Sequence, residues 1–270
     1  MNVRDALLRG KRRPRNLGGG SPTVFRGDGY EFVELRAYVP GDDVRRIDWA
    51  ATARANALQT RVVLEDVALT LGCVLDESGS MRIGRTRPLL EAAREAQAAW
   101  FGVCRPEDRA VRALDDAIIP AKGERGRLSA LVASAASRQD FDLDASLATA
   151  RAALPRGTAL LAIGDWFDLD ARHDGVLIDL AGRFDCTALV ARDPWYDGLP
   201  LRGLVRLRGA EGGGARAYVG ERERVAYARA VRERERTVLE RFERAGWRTG
   251  ILDESDGAQS LARAFGVAEP

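Results

Sequence analysis

The chain has 270 residues, of which 30% are charged and 46% are hydrophobic, and its formal net charge at pH 7 is +2. This composition is typical of a globular protein with one large domain, or with one domain and a smaller module. The near balance of opposite charges excludes a protein whose whole surface is dedicated to nucleic acid. The sequence has no apolar run of about 18 residues and no apolar signal core at the N-terminus, so we expect a cytoplasmic protein.

Three cysteines lie far apart, each in an apolar stretch: Cys73, Cys104 and Cys186. Their spacing matches no zinc site, and three cysteines cannot form a complete set of disulfides. We therefore expect buried free thiols in a reducing compartment.

Residues 1–29 form the first of three predicted regions, a basic flexible tail. A glycine-rich run, Gly18 to Gly20, follows six basic side chains, as is typical of a mobile terminus. The basic residues are Arg4, Arg9, Lys11, Arg12, Arg13 and Arg15. Such a tail is most simply solvated, although it also suits contact with nucleic acid or an acidic partner.

Residues 30–66 form the second predicted region, a β-rich block with many charged residues. Pro40-Gly41-Asp42 is a strong turn signal, and residues 58–65 are predicted as a strand. We expect an arginine–carboxylate network around the tryptophan of this block, which serves either as a folding scaffold or as a binding surface. The residues concerned are Arg36, Asp42, Asp43, Arg45, Asp48, Trp49 and Arg54.

Residues 67–270 form the third region, which opens with an apolar strand at 68–75. Oxygen-bearing side chains follow at alternate positions: Asp76, Ser78 and Ser80. One carboxylate and two hydroxyls on a tight turn suit Mg²⁺ or Mn²⁺, which prefer oxygen ligands. The alternative is a polar turn in which these side chains cap backbone groups.

Strands and helices alternate through the rest of this region, with a hairpin inserted. Strands are predicted at 108–114, 117–120, 158–163, 186–191 and 247–252, helices at 85–103, 128–137, 144–154, 174–182 and 222–245, and a β-hairpin near 201–219. This alternation predicts an α/β fold with a doubly wound, mostly parallel sheet and helices on both faces.

The strand at 158–163 leads directly to Asp165. Because ligands of open parallel sheets bind beyond the carboxyl ends of the strands, we expect Asp76 and Asp165 to meet at that edge. His173, the single histidine, is expected in a surface loop and not in a site.

Two motifs carry a resemblance to known families. EFxxLRxYxPGDDxRxIDWxAxAR at residues 31–54 is similar to the signature of the domain-of-unknown-function 58 family. In that family the block precedes a von Willebrand factor A-like domain, and VLDESGSM at residues 74–81 resembles the opening of such a domain, with its DxSxS metal-ion-dependent adhesion site. The resemblance implies a von Willebrand A-like fold over 67–270.

The same resemblance implies roles for individual residues. Asp76, Ser78 and Ser80 match the metal-binding loop, and Asp165 matches a later strand-end aspartate that acts through a water. Where many A domains have a metal-binding threonine, this chain has Phe141-Asp142. A phenyl group cannot ligate a metal, so either Asp142 takes over, or the metal is bound more weakly, or it is absent.

Three classes of function follow. The first is a non-enzymatic interaction module that captures a partner carboxylate at the metal. Members of the resembled family accompany MoxR-type AAA+ ATPases, which implies an adaptor or co-chaperone for such a motor. The second is an Mg²⁺-dependent phosphoester hydrolase, in which Asp76 and Asp165 hold the ion. The third is nucleic-acid binding through the basic tail.

Overall fold

The computed structural model describes residues 3–12, 31–42, 44–64, 68–112, 121–132, 141–209 and 213–267. The chain divides into two compact units, Leu8–Ala68 and Met1–Leu7 together with Leu69–Pro270. Within the described residues no helix is both long enough and apolar enough to cross a membrane.

The helices and strands are numbered in chain order. The helices are α1 (Val3–Arg12), α2 (Trp49–Ala55), α3 (Leu89–Gly102), α4 (Gly123–Val132), α5 (Leu143–Ala153), α6 (Asp174–Arg183), α7 (Glu221–Arg244) and α8 (Gly257–Ala264). The strands are β1 (Glu31–Ala37), β2 (Gln59–Leu64), β3 (Thr70–Leu75), β4 (Arg109–Arg112), β5 (Ala121–Lys122), β6 (Ala159–Gly164), β7 (Asp185–Ala191), β8 (Gly203–Arg208), β9 (Gly214–Val219) and β10 (Arg248–Leu252).

The larger unit is built on a six-stranded sheet in the order β10-β7-β6-β3-β4-β5. Neighbouring strands are parallel except for β5, which pairs antiparallel with β4. The prediction of an α/β fold with a mostly parallel sheet is confirmed. The chain leaves β3 toward β4 and later adds β6 on the other side of β3. Its winding therefore reverses at β3, and such switch points are where open parallel sheets bind ligands.

Both faces of this sheet are covered, so its central strands are apolar throughout; all six residues of β6 are buried. On one face, α5, α6 and α7 contribute to a core that contains Trp166, Phe242 and Trp247. On the other face, α3 packs beside α8, and the Trp100 indole N–H donates to the Gly72 carbonyl oxygen at 3.1 Å.

The predicted hairpin is present as β8 and β9, which form their own two-stranded antiparallel sheet. In the smaller unit, β1 and β2 also pair antiparallel, in agreement with a β-rich block. The strand predicted at 117–120 lies outside the described residues. Helix α3 begins at Leu89 rather than at residue 85, because Pro88 stands before its first turn and lacks the N–H that a helix interior needs.

Three helices escape the sequence analysis: α1, α2 and α8. The prediction of a mobile tail is wrong for residues Val3–Arg12, which form α1, while 13–30 lie outside the described residues. Val3 and Leu7, four residues apart on one side of α1, are both buried.

The thiols agree with the expectation of free cysteines. Cys73 and Cys186 are buried, Cys104 is partly exposed, and none of the three forms a disulfide. Burial raises the pKa of the Cys73 thiol to about 12, so this side chain stays protonated and apolar in character.

A buried ion pair holds the start of α1 against the amino edge of the sheet. Asp108, with no exposed surface, accepts hydrogen bonds from the backbone N–H groups of Leu69 and Arg105, both at 2.7 Å. The Arg4 guanidinium, 5% exposed, pairs with both oxygens of the same carboxylate; its Nη2 lies 3.3 Å from Oδ1. The carboxylate is therefore fully satisfied only when α1 is in place.

Arg4→Met should lower the free energy of unfolding by on the order of 3 kcal/mol, because the Asp108 carboxylate then stays buried without the charge of the Arg4 guanidinium. Urea denaturation measures the change. Arg127→Met is the matched control, since Arg127 pairs with the exposed Glu124 and its loss should change stability little. Equal effects of the two substitutions would contradict the structural role of this pair.

Candidate metal centre

The candidate site lies where β3 and β6 end side by side. The Asp76 N–H, just past β3, donates to the Ile163 carbonyl oxygen at 2.9 Å, which extends the strand pairing by one residue. A side chain at Gly164 would place its Cβ 2.8 Å from the Asp76 Cβ, closer than such atoms approach. Glycine at this position therefore lets the two strand ends meet.

The loop after β3 gathers its oxygens by local hydrogen bonds. The Ser78 N–H donates to Asp76 Oδ1 at 2.8 Å, and the Ser78 and Ser80 hydroxyl oxygens lie 2.9 Å apart. A short 3₁₀ turn, Ser80–Arg82, follows and buries Met81 completely. The side chains of Asp76, Ser78 and Ser80, which the sequence places at alternate positions, therefore lie close together in the loop.

The loop after β6 supplies the second carboxylate. Asp165 Oδ1 accepts a hydrogen bond from the Phe167 N–H at 2.9 Å. Between them, Trp166 adopts φ +55°, a left-handed conformation that is rare for a bulky residue. Its buried indole N–H donates to the Leu189 carbonyl oxygen at 3.2 Å, and this packing holds the strained turn in place.

These loops line a cavity of about 340 Å³. Three carboxylates and two hydroxyls form the polar part of its wall, and most of the remaining lining is apolar. No lysine or arginine is among the described residues that line it. The lining residues are Asp76, Ser78, Ser80, Phe141, Leu143, Asp165, Trp166, Phe167, Asp168 and Gly209.

Burial raises the pKa of Asp76 to about 6. The Ser78 hydroxyl, a hydrogen-bond donor to the carboxylate, opposes this shift, and the negative charge of Asp165 adds to it. The ionised form of Asp76 is therefore costly in the metal-free protein, and a cation in the cavity would stabilise it.

Glu77 belongs to the same loop but points away from the cavity. Its Oε1 lies 3.0 Å from the Arg94 Nη2, and its Oε2 lies 2.7 Å from the Nη2 of the buried Arg112. Glu77 thus ties the metal loop to α3 and β4, which agrees with the alternation of side chains expected from the sequence.

Phe141 and Asp142 separate in the structure. Phe141 lines the cavity, whereas Asp142 is not among its lining residues. The Asp142 Oδ1 accepts the Ala145 N–H at 3.0 Å and so caps the start of α5. The predicted ligand set is thus brought together except for Asp142.

His173 is not the surface residue that we expected. It is 1% exposed, and its Nδ1 accepts the Asp170 N–H at 3.1 Å while its Nε2 lies 3.1 Å from Asp144 Oδ1. The histidine closes a capping box before α6, a local role that a single histidine in a polar segment did not reveal.

The residues present fit a divalent cation that keeps part of its water shell. No three residues of the types His, Cys, Asp and Glu lie close enough to hold one ion within the described part of the chain. The oxygen set would therefore depend on the hydroxyls of Ser78 and Ser80 and on water, beside the Asp76 carboxylate. Oxygen-only donors with retained water are what Mg²⁺ accepts.

A second cavity, of about 330 Å³, shares Ser80, Asp165 and Phe167 with the first and continues toward α7. The Tyr227 hydroxyl donates to the Asp193 carboxylate at 2.8 Å on its wall. Arg234 lies over the Phe167 ring, 4.3 Å from its centroid. The two cavities therefore lie next to each other beside the strand ends.

The signature residues of the smaller unit form local contacts. Asp42, which is buried, accepts from the Arg36 guanidinium at 2.8 Å and from the Val39 N–H at 3.0 Å. Asp48 caps α2 through the Ala51 N–H at 2.9 Å.

Asp48 also pairs with Arg61 at 2.8 Å, and these contacts hold its pKa below the usual value, the Ala51 N–H first among them. The expectation that the network is held around Trp49 is wrong, because this side chain is 69% exposed. Arg45 and Arg54 are exposed, and Asp43 lies outside the described residues.

Three further residues line the cavity although the sequence did not mark them as site residues: Leu143, Asp168 and Gly209. Asp168 follows Asp165 by three residues, and a turn after a strand end was the available signal. Leu143 and Gly209 come from distant elements, the start of α5 and the tip of the hairpin, and nothing local marks them.

Comparison with known proteins identifies one family. Residues 34–237 match the family described as protein of unknown function DUF58. Uncharacterized proteins from two strains of Mycobacterium tuberculosis and from Mycobacterium bovis are each 34% identical over 121 residues, or 45% of this chain. The chain spans about a third of the length of these curated relatives, with 33% of each covered.

In the presence of EDTA, Asp76→Asn should raise the free energy of unfolding at about pH 8 by on the order of 3 kcal/mol. Asparagine keeps the shape of the side chain and an oxygen for the Ser78 N–H, but it carries no charge to bury. The folded pKa of about 6 lies above the ordinary value of 3.8, so the wild type loses stability as the pH rises from about 4 through about 6.

The gain should therefore be very small below about pH 3, where Asp76 of the wild type is largely protonated in both the folded and the unfolded state; it should grow between about pH 4 and pH 6 and then level off. Denaturant titrations at several pH values measure it. Asp165→Asn is the comparison, because it removes the neighbouring charge and leaves the burial of Asp76 unchanged, so its gain should be smaller. A gain for Asp76→Asn that does not depend on pH would contradict this account.

Proposed function

The chain belongs to the DUF58 family, and from that premise we propose that it is a non-enzymatic interaction module which binds a partner carboxylate at a metal-dependent site. Mg²⁺ or Mn²⁺ is the proposed ion. Asp76, Ser78 and Ser80 would hold it directly, and Asp165 would support it through water.

One observation carries the proposal: carboxylates and hydroxyls from two strand ends gather in a cavity whose described lining includes no cationic side chain. Without a cation this arrangement buries repelling charge, as the raised pKa of Asp76 indicates. When bound, a divalent ion supplies positive charge with coordination positions left for a further oxygen ligand. Because Ser78 and Ser80 are neutral and Asp76 is the one carboxylate proposed to bind directly, the ion and its direct ligands together keep a positive charge that favours a further anionic oxygen.

Apolar surface beside the cavity suits a protein partner. Phe167 is 71% exposed at the mouth, with Phe141 next to it in the lining. Aromatic side chains around a central polar contact commonly supply the area of protein interfaces. The proposed partner is a MoxR-type AAA+ ATPase or its client, with the chain as adaptor or co-chaperone, as the family resemblance implies.

Asp168 favours a second candidate, an Mg²⁺-dependent phosphoester hydrolase, because a third carboxylate in the cavity adds to the groups that can position metal or water. Hydrolysis of p-nitrophenyl phosphate that requires Mg²⁺ and disappears with EDTA and in Asp76→Asn would establish this activity instead.

Mg²⁺ should stabilise the wild-type protein against thermal unfolding and leave Asp76→Asn unaffected, because only the wild type has the carboxylate ligand. At a concentration about a hundredfold above Kd the stabilisation should approach 2.7 kcal/mol. Calorimetric titration gives Kd directly. Asp185→Asn is the matched control, since Asp185 pairs with Arg248 at the opposite edge of the sheet. Equal shifts for wild type and Asp76→Asn would refute metal binding at this cavity.

Association with a purified MoxR-type ATPase should be lost in EDTA, restored when Mg²⁺ is added back, and absent in Asp76→Asn at any Mg²⁺ concentration. Biolayer interferometry with the immobilised chain measures it, and Asp185→Asn should bind as wild type does. If association survives both chelation and the substitution, the interaction surface lies elsewhere on the molecule.

A further inference from the structure

The hairpin β8–β9 presents a side-chain arrangement that the metal cavity does not explain. The two strands pair in register from Gly203↔Val219 at the base to Arg208↔Gly214 near the tip. Residues directly opposite each other, and those two positions along, share one face of such a ribbon. The pairs Leu204↔Tyr218 and Arg206↔Arg216 therefore lie on the same face.

This face is exposed along its length. Leu204 is 77% exposed and Tyr218 is 69% exposed, and Arg206, Arg208 and Arg216 are exposed as well. A large aliphatic and an aromatic side chain stand together in solvent at one end, and the arginines stand at the other. Single exposed apolar residues are common, but a cross-strand pair of them beside arginines is typical of an interface.

The pair of opposed arginines works against the stability of the hairpin. Like charges directly across an antiparallel pair repel each other. No ion pair within the described part of the chain involves Arg206, Arg208 or Arg216, so no acidic side chain there relieves the repulsion. Positive charge that costs stability and has no ion pair among the described residues suits an anionic partner.

We infer that this face of the hairpin is a docking surface for an acidic segment of a partner protein. Carboxylates of the segment pair with Arg206 and Arg216, and an apolar side chain next to them packs on Leu204 and Tyr218. Arginine and tyrosine are the residue types that most often dominate such contacts. Exposed leucine in the patch, together with a net charge of only +2 for the whole chain, favours a protein over a nucleic acid.

The hairpin reaches the metal cavity near its tip. Gly209, the residue after Arg208, lines that cavity, and Arg206 lies about 10 Å farther along the strand at roughly 3.3 Å per residue. One extended segment is long enough to reach both places. Docking on the hairpin itself uses charge and apolar contact and does not rest on the proposed metal function.

The test uses a short fluorescein-labelled peptide with glutamates in one half and leucine and phenylalanine in the other, titrated with the full chain in EDTA at low ionic strength. Polarisation should report binding that weakens as salt is added. A peptide with glutamine in place of each glutamate should bind on the order of tenfold more weakly. Equal binding of the two peptides, or no binding of either, would overturn the proposal.

Arg216→Glu separates binding from folding. It replaces a repelling cross-strand pair with an attracting one, so the thermal midpoint should be unchanged or slightly raised. Affinity for the glutamate peptide should fall on the order of tenfold or more, because one attraction becomes a repulsion. Arg156→Glu, the same charge change in an exposed turn after α5, is the matched control and should bind as wild type does.

Arg206→Gln combined with Arg216→Gln gives a second variant with no new charge, and it too should lose affinity. Wild-type affinity in these variants would overturn the proposal. A single-stranded oligonucleotide of equal charge is titrated in parallel; if it binds more tightly than the peptide and loses binding in Arg216→Glu, the surface is a nucleic-acid site and the proposal is wrong. EDTA in every titration keeps the outcome independent of the metal centre.

Discussion

The close approach of β3 and β6 at their carboxyl ends is the constraint on which the candidate site depends. The Asp76 N–H bonds to the Ile163 carbonyl oxygen, and the absent side chain of Gly164 leaves room for the Asp76 carboxylate. Without this approach the two acidic loops would not share one cavity. The reversal of winding at β3 opens the crevice in which those loops stand.

When the two loops meet, the negative charges of their carboxylates repel each other, and ion pairs relieve this repulsion only in part. The charge of Glu77 is compensated, because this side chain pairs with Arg94 and Arg112 behind the loop. Asp76 and Asp165 stay in the cavity, and burial raises the pKa of Asp76 to about 6. In the hairpin, two positive side chains repel each other in the same way, because Arg206 and Arg216 lie directly opposite on the paired strands. Charges that the fold leaves without compensation tend to lie at functional sites.

Local patterns predicted most of the framework. Strands β3, β6 and β7 appear as largely apolar runs, because a strand covered on both faces is apolar along most of its length. The hairpin and the long helix α7 were also predicted. Helix α1 was missed because four of its ten residues are basic, although Val3 and Leu7 mark a buried side. His173 was misplaced because Asp144, one of its two partners, lies on α5 and becomes its neighbour only when the chain folds, although Asp170 is three residues away.

The sequence by itself determined the order of the elements, the mostly parallel sheet and the oxygen-bearing loop after β3, since each of these depends on residues close together in the chain. Only the tertiary structure decided which distant residues join that loop. Asp168, Leu143 and Gly209 enter the cavity, whereas Asp142 is taken by the cap of α5. The physical reason is that strand order and loop path set contacts across the fold, while local chemistry sets only the strands and turns themselves.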